Sequence, residues 1–168
     1  YSNYGKLMIP FYLFYSMFGF QRIMDLIWAA GDSQARGFLI GATSGKTTLN
    51  GEGLQHQDGH SHLLAATIPN CKSYDPTYAY ELAIIIEHGM KVMFQKKEKC
   101  FFYITTMNEN YPHPKMPSGV KKGIIKGMYQ IKQQRPSKSQ KGLEVDLLGS
   151  GAILREVEEA ALILSEEY

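Results

Sequence analysis

Met8–Tyr15 is an unbroken apolar and aromatic run, and Phe18–Ala30, directly after it, places Ile23, Leu26, Ile27 and Ala30 at spacings of three and four. A continuous apolar run reads as a strand buried on both faces, and the spacing that follows reads as an amphipathic helix. Pro10 stands near the start of the run, where a missing N–H is tolerated. The same switch of period recurs downstream. Gly37–Ala42 reads as a second short strand, Ser61–Thr67 as a short helix and Asn70–Tyr74 as a third strand. Asp75-Pro76 offers an N-cap followed by proline, predicting a helix from there to about Gln95, and Cys100–Thr106 is a fourth strand. Beyond the proline-rich loop Asn108–Ser118, the pattern predicts a short helix at Lys121–Gly127 and a fifth strand at Met128–Gln133. An exposed linker follows at Gln134–Gly142. Glu144–Leu148 then reads as a strand, Gly149–Gly151 as a tight turn and Ala152–Tyr168 as a helix. Strands alternating with helices imply an α/β fold, a mostly parallel sheet with helices on both faces.

Composition narrows the function classes. Hydrophobic residues make up 44% of the 168, enough for a core and too many for a disordered chain. The net charge of +2, with acids and bases interspersed, gives no reason to expect nucleic acid or an anionic membrane surface. The longest apolar run, Leu7–Tyr15, is far short of the ~20 residues that a membrane-spanning helix needs. No signal peptide is visible. The two cysteines, Cys71 and Cys100, lack Cys-x-x-Cys spacing and read as buried free thiols in a reducing cytoplasm. The absence of a starting Met and a closing helix without a glycine or proline stop suggest a segment of a longer protein.

Thr43–His62 is the densest polar stretch, and several chemistries compete for it. Gly41-Ala-Thr-Ser-Gly45-Lys46-Thr47 resembles a phosphate loop, but has three residues between its glycines where four are needed. His56, His60 and His62 lie near Asp58 and Glu52 as possible zinc ligands, yet Gly59 interrupts them and no firm fourth ligand is evident. A third reading is a substrate-facing loop with one working histidine: glycines flank Glu52, and such loops at the C-terminal ends of parallel strands are where α/β sheets bind ligands. An imidazole there can donate a proton or stabilise an anion near neutral pH. The fourth is a purely structural loop whose histidines bond backbone groups.

Tyr15-Ser-Met-Phe18 closes the first strand. Its two aromatics are either plain core or a binding wall, with Phe18 presenting its ring to a flat heterocycle and Tyr15 aiming its hydroxyl into the same cavity. Trp28 and the methionines read as packing, and Lys96–Lys99 as a solvated charge run at a helix end.

Three long motifs carry a resemblance. MIPFYLFYSMFGFQR (Met8–Arg22), WAAGDSQARGFLIGATSGKTTLNGEGLQHQDGHSH (Trp28–His62) and YITTMNENY (Tyr103–Tyr111), continued by LLGSGAILREV (Leu147–Val157), resemble the homodimeric, thiamine-diphosphate-dependent first component of bacterial pyruvate dehydrogenase complexes. The likeness covers nearly the whole chain and is weakest at Lys132–Glu144. Lys46 and Gln57 stand where that family carries Arg and Glu, which leaves His56 in register.

The family is transketolase-like, with three α/β domains per subunit. The resemblance implies that residues 1–140 are the middle, pyrimidine-binding domain without its N-terminal part, and that 141–168 are the first strand and helix of the C-terminal domain. It further implies that Phe18 packs on the cofactor's aminopyrimidine, that Tyr15 and His56 face the substrate-derived adduct, and that Glu52 supports them. No metal ligand is expected here, because magnesium and the diphosphate are held by residues outside this chain. The implied substrate is pyruvate. The implied partners are a second copy, in a homodimer, and the lipoyl domain of dihydrolipoyl acetyltransferase, in a cytoplasmic bacterial setting. The alternative is a non-enzymatic binding module derived from the same domain.

Overall fold

The computed structural model describes residues 4–6, 8–45, 53–133 and 145–167. Four strands, β1 (Phe11–Tyr15), β2 (Phe38–Ala42), β3 (Cys71–Tyr74) and β4 (Phe101–Thr105), form one sheet in the order β1-β2-β4-β3 with every neighbour parallel. Parallel strands need crossovers, and helices supply them. α1 (Ser16–Asp32) joins β1 to β2, α2 (Ser61–Ala65) precedes β3, and α3 (Ala79–Met90) leads back to β4 through a π turn at Lys91–Gln95. α4 (Lys121–Lys126) and α5 (Ile153–Glu167) follow.

The alternating direction of strand side chains divides the core in two. Phe102 and Ile104 of β4 join Phe38, Ile40, Ile84, Ile85 and Met93 on the face covered by α3 and α4. Phe101 and Tyr103, pointing the other way, join Phe20, Ile27, Ala65 and Ile68 under α1 and α2. All five residues of β4 are buried, with strands on both edges and a packed core over each face. Each fully buried large apolar side chain here contributes roughly 1.5–3 kcal/mol.

Several expectations need correction. The first strand is not buried: it lies at the sheet edge, and Phe11, Tyr12 and Leu13 are 45%, 55% and 65% exposed. Trp28 is 38% exposed, and of the methionines Met93 is fully buried while Met128 is largely exposed. Cys71 is half-buried, and only Cys100 is fully enclosed. The helix expected from Asp75-Pro76 begins at Ala79, because the Asp75 carboxylate accepts from the Thr105 hydroxyl (2.6 Å) and from Ser150 (2.8 Å) instead of capping. Glu81 takes that role, accepting from the backbone N–H groups of Thr77 (2.8 Å) and Tyr78 (2.7 Å).

The fifth strand at Met128–Gln133 does not form. Tyr129 is drawn onto α3 instead, its hydroxyl 2.8 Å from Glu81 and 2.7 Å from the Tyr80 hydroxyl. Residues 145–148 also take no strand, and Val145 and Leu148 are exposed. The domain boundary near Gln140 and the linker Gln134–Gly142 lie outside the described residues, Gln133 being the last before them.

Candidate active site

Tyr15 ends β1 and Phe18 sits in the first turn of α1, so the strand-to-helix junction sets both rings at the C-terminal edge of the sheet. His56 arrives from the other direction, on a single 3-10 turn at Leu54–His56 closed by its own N–H on the Gly53 carbonyl (3.0 Å). The three rings meet. The His56 imidazole is 5.2 Å from the Phe18 ring, nearly perpendicular to it, and 5.3 Å from the Tyr15 ring, close to parallel. Tyr15 and Phe18 stand edge to face at 6.3 Å. Tyr15 is half exposed while Phe18 and His56 are partly enclosed, so the cluster forms a wall with a wet rim. Glu52 lies outside the described residues.

Two neighbours of this wall take parts that the sequence does not assign them: Arg22 carries no reading there, and Asp58 appears only as a possible zinc ligand. The guanidinium of Arg22 lies 4.2 Å from the centre of the Phe18 ring, a cation–π contact across one helical turn. The i, i+4 spacing of Phe18 and Arg22 is the signal that could have found it. Asp58, two residues after His56, is 3% exposed and accepts hydrogen bonds from the backbone N–H of Ser61 (3.0 Å), that of His60 (3.2 Å) and the Ser61 hydroxyl. Burial alone would raise its pKa. The hydrogen bonds from the Ser61 side chain and the Ser61 and His60 backbones outweigh burial and hold the carboxyl below its usual range. Its spacing to Ser61 is the pattern that marks an acid at a helix start.

The remaining histidines of the loop do other work. His60 is bonded to Gln21 of α1. His62 reaches Thr105 at the end of β4, with Nε2 and Oγ1 2.9 Å apart. Because the Thr105 hydroxyl donates to Asp75, its oxygen accepts from His62 Nε2–H. Among the described residues no group of three or more His, Cys, Asp or Glu side chains converges as a metal site. A small cavity elsewhere, lined by Thr77, Tyr78, Glu109, Tyr111 and His113, contains none of the expected site residues. Among the described residues, no helix is long and apolar enough to cross a membrane.

A domain family described as the pyruvate dehydrogenase E1 component middle domain matches residues 1–114. The chain is 63% identical over 168 residues to the pyruvate dehydrogenase E1 component of Pseudomonas aeruginosa, covering all of this chain and 19% of that protein. It is 61% identical over 169 residues to the protein of the same name from Escherichia coli K12, and 55% identical to that of Haemophilus influenzae, again over the whole of this chain and 19% of each relative. It therefore spans about a fifth of the length of these curated relatives, at 19%. With an all-parallel α/β sheet and full-length identity of this order, the chain belongs to the pyruvate dehydrogenase E1 component family and carries its middle-domain segment.

Proposed function

We propose that this segment builds one wall of a thiamine-diphosphate site in a pyruvate dehydrogenase first component, with Phe18 under the aminopyrimidine and His56 and Tyr15 facing the 2-oxo acid. The observation that carries the reading is the meeting of the Tyr15, Phe18 and His56 rings at the C-terminal edge of a parallel sheet. That arrangement fits the group: a partly enclosed phenyl ring for a flat heterocycle, beside two side chains able to donate hydrogen bonds. Thiamine diphosphate, when bound, supplies a carbon nucleophile for the keto carbonyl and an electron sink for the loss of carbon dioxide.

The chain's own residues position and stabilise. Phe18 contributes stacking worth ~0.5–1.5 kcal/mol beyond area burial, and Arg22 braces its ring. His56 and the Tyr15 hydroxyl donate to the oxygens on which negative charge develops, the carboxylate and the former carbonyl oxygen of pyruvate. The partial enclosure of His56 strengthens its bond relative to water. Glu52 is assigned a supporting place in the same loop. Magnesium and the diphosphate belong to residues outside this chain. The working unit in this reading is a cytoplasmic bacterial homodimer whose acetyl product passes to the lipoyl domain of dihydrolipoyl acetyltransferase, and the segment alone is inactive. The domains divide near residue 140, with 141–168 opening the C-terminal one.

In the full-length protein carrying this segment, His56→Ala is expected to lower pyruvate turnover by ~10²-fold or more. Turnover within a few-fold of wild type removes His56 from the mechanism.

A further inference from the structure

The turn that carries His56 is too short to hold itself. Leu54–His56 is one 3-10 turn, and a single turn is marginal without outside support. That support lies immediately C-terminal. Gln57 bridges to Gly45, and the Asp58 N–H donates to the Gly45 carbonyl at 3.0 Å, tying the returning loop to the segment that leaves β2. The Asp58 carboxylate then turns inward and gathers the N–H groups of His60 and Ser61 and the Ser61 hydroxyl. Ser61 and Ala65 of α2 are 1% and 0% exposed, so what Asp58 grips is a fixed part of the core. His60, next in line, is held from the side by Gln21 of α1, one turn beyond Phe18.

We infer that Asp58 is a positioning residue for the reaction: its buried carboxylate clamps the loop so that the His56 imidazole stays against Phe18 and Tyr15. The inference rests on the reading of His56 as a working residue. Asp58 itself touches neither substrate nor cofactor and acts only through the backbone it holds. A charged acceptor suits this task because its hydrogen bonds are roughly twice as strong as neutral ones, and because a buried acceptor of three donors leaves those donors stranded when it is removed. A displacement of about 1 Å at a reacting group can cost ~10²-fold in rate, so a slack loop is read directly in turnover.

The test uses the full-length protein with Asp58→Asn, His56→Ala and the pair combined. Asp58→Asn is expected to lower kcat about tenfold or more with little change in the KM for pyruvate. Added to His56→Ala it should cause no further loss, because two residues that act through one group are not additive. Hydrogen exchange across residues 53–62 should quicken in Asp58→Asn. Ser61→Ala, which removes one of the three bonds and keeps the charge, should move each readout in the same direction by less. It also serves as the test where Asp58→Asn is not recovered as soluble protein.

Near-wild-type turnover in Asp58→Asn, or in Ser61→Ala where Asp58→Asn is not recovered, or a loss that multiplies with His56→Ala, overturns the inference. Full turnover in His56→Ala alone overturns the reading of His56 instead. In that case exchange across 53–62 still decides whether Asp58 holds the loop, and unchanged exchange sinks the clamp.

Discussion

Gly41, near the end of β2, keeps the candidate site compact by what it lacks. A Cβ there would meet the Tyr103 hydroxyl at 2.5 Å and the Ser16 Cβ at 2.9 Å. Tyr103 is fully buried and Ser16 is 1% exposed in the first turn of α1, so neither has room to withdraw. Ser16 is also the residue after Tyr15, so anything that pushes it outward moves the strand-to-helix junction on which Tyr15 and Phe18 are mounted. Gly41→Ala is therefore expected to destabilise the chain by about 1–3 kcal/mol, as overpacking typically does, read as a lower urea midpoint with unchanged slope. An unchanged midpoint would mean the junction can relax. At this scale the sequence was informative where chemistry is local. Tyr15, Phe18 and His56 were singled out from residue type, loop glycines and a family resemblance. Arg22 is not singled out, and Asp58 stands there only as a possible zinc ligand: the spacings Phe18–Arg22 and Asp58–Ser61 are present in the sequence, but the ring contact and the burial that give them weight are not.

Elements were legible in proportion to how self-contained their signals are. β2, β4, α1 and α5 fall within a residue or two of the patterns that predicted them, since each carries its own period over a full length. The expected strands at 128–133 and 144–148 failed because a short apolar run needs a neighbour to pair with. Tyr129 found Glu81 and Tyr80 instead. The docking of α5 was equally hidden. The turn before it is fastened by Gly151 N–H on the Asp75 carbonyl (3.0 Å), Ser150 on the Asp75 carboxylate and Thr77 on the Gly151 carbonyl (2.8 Å). The helix itself is held by Arg155 on Glu109 (2.9 Å) and by Tyr78 on Glu158. Gly151 has φ of +51°, and a Cβ there would stand 2.5 Å from both Asp75 carboxylate oxygens. Conformation and contact both demand glycine. Gly151→Ala is expected to free α5 while leaving the sheet intact, seen as faster hydrogen exchange in residues 153–167 with that of β4 unchanged. Protection retained in α5 would show that the side-chain pairs alone suffice.

The sheet order has a consequence for the molecule as a whole. β1 lies at one edge with a single strand neighbour, so one row of its backbone donors and acceptors has no strand partner among the described residues. Its side chains add to the exposure: Phe11, Tyr12, Leu13 and Tyr15 all present large apolar surface, and Met8 and Ile9 continue it. A second apolar stretch, Leu162–Leu164, lies exposed near the end of α5. Soluble edge strands are commonly blunted by lysine, proline or a bulge, and Phe11–Tyr15 has none of these. A long apolar edge is a template for another strand, and a patch of this kind marks a contact surface. The chain amounts to 19% of the length of its Pseudomonas relative, so a protein of that length has ample further sequence to cover such an edge. Prepared by itself, the 168-residue chain is expected to self-associate over roughly the micromolar-to-millimolar range, where exposed apolar surface and unpaired strand edges drive association, with a concentration-dependent sedimentation coefficient. Leu13→Lys places a charge in the middle of the edge and should shift the distribution toward monomer, whereas Leu162→Lys tests the second patch separately. Monomer at every concentration in the unmodified chain would show that β1 does not act as a pairing edge despite its exposure.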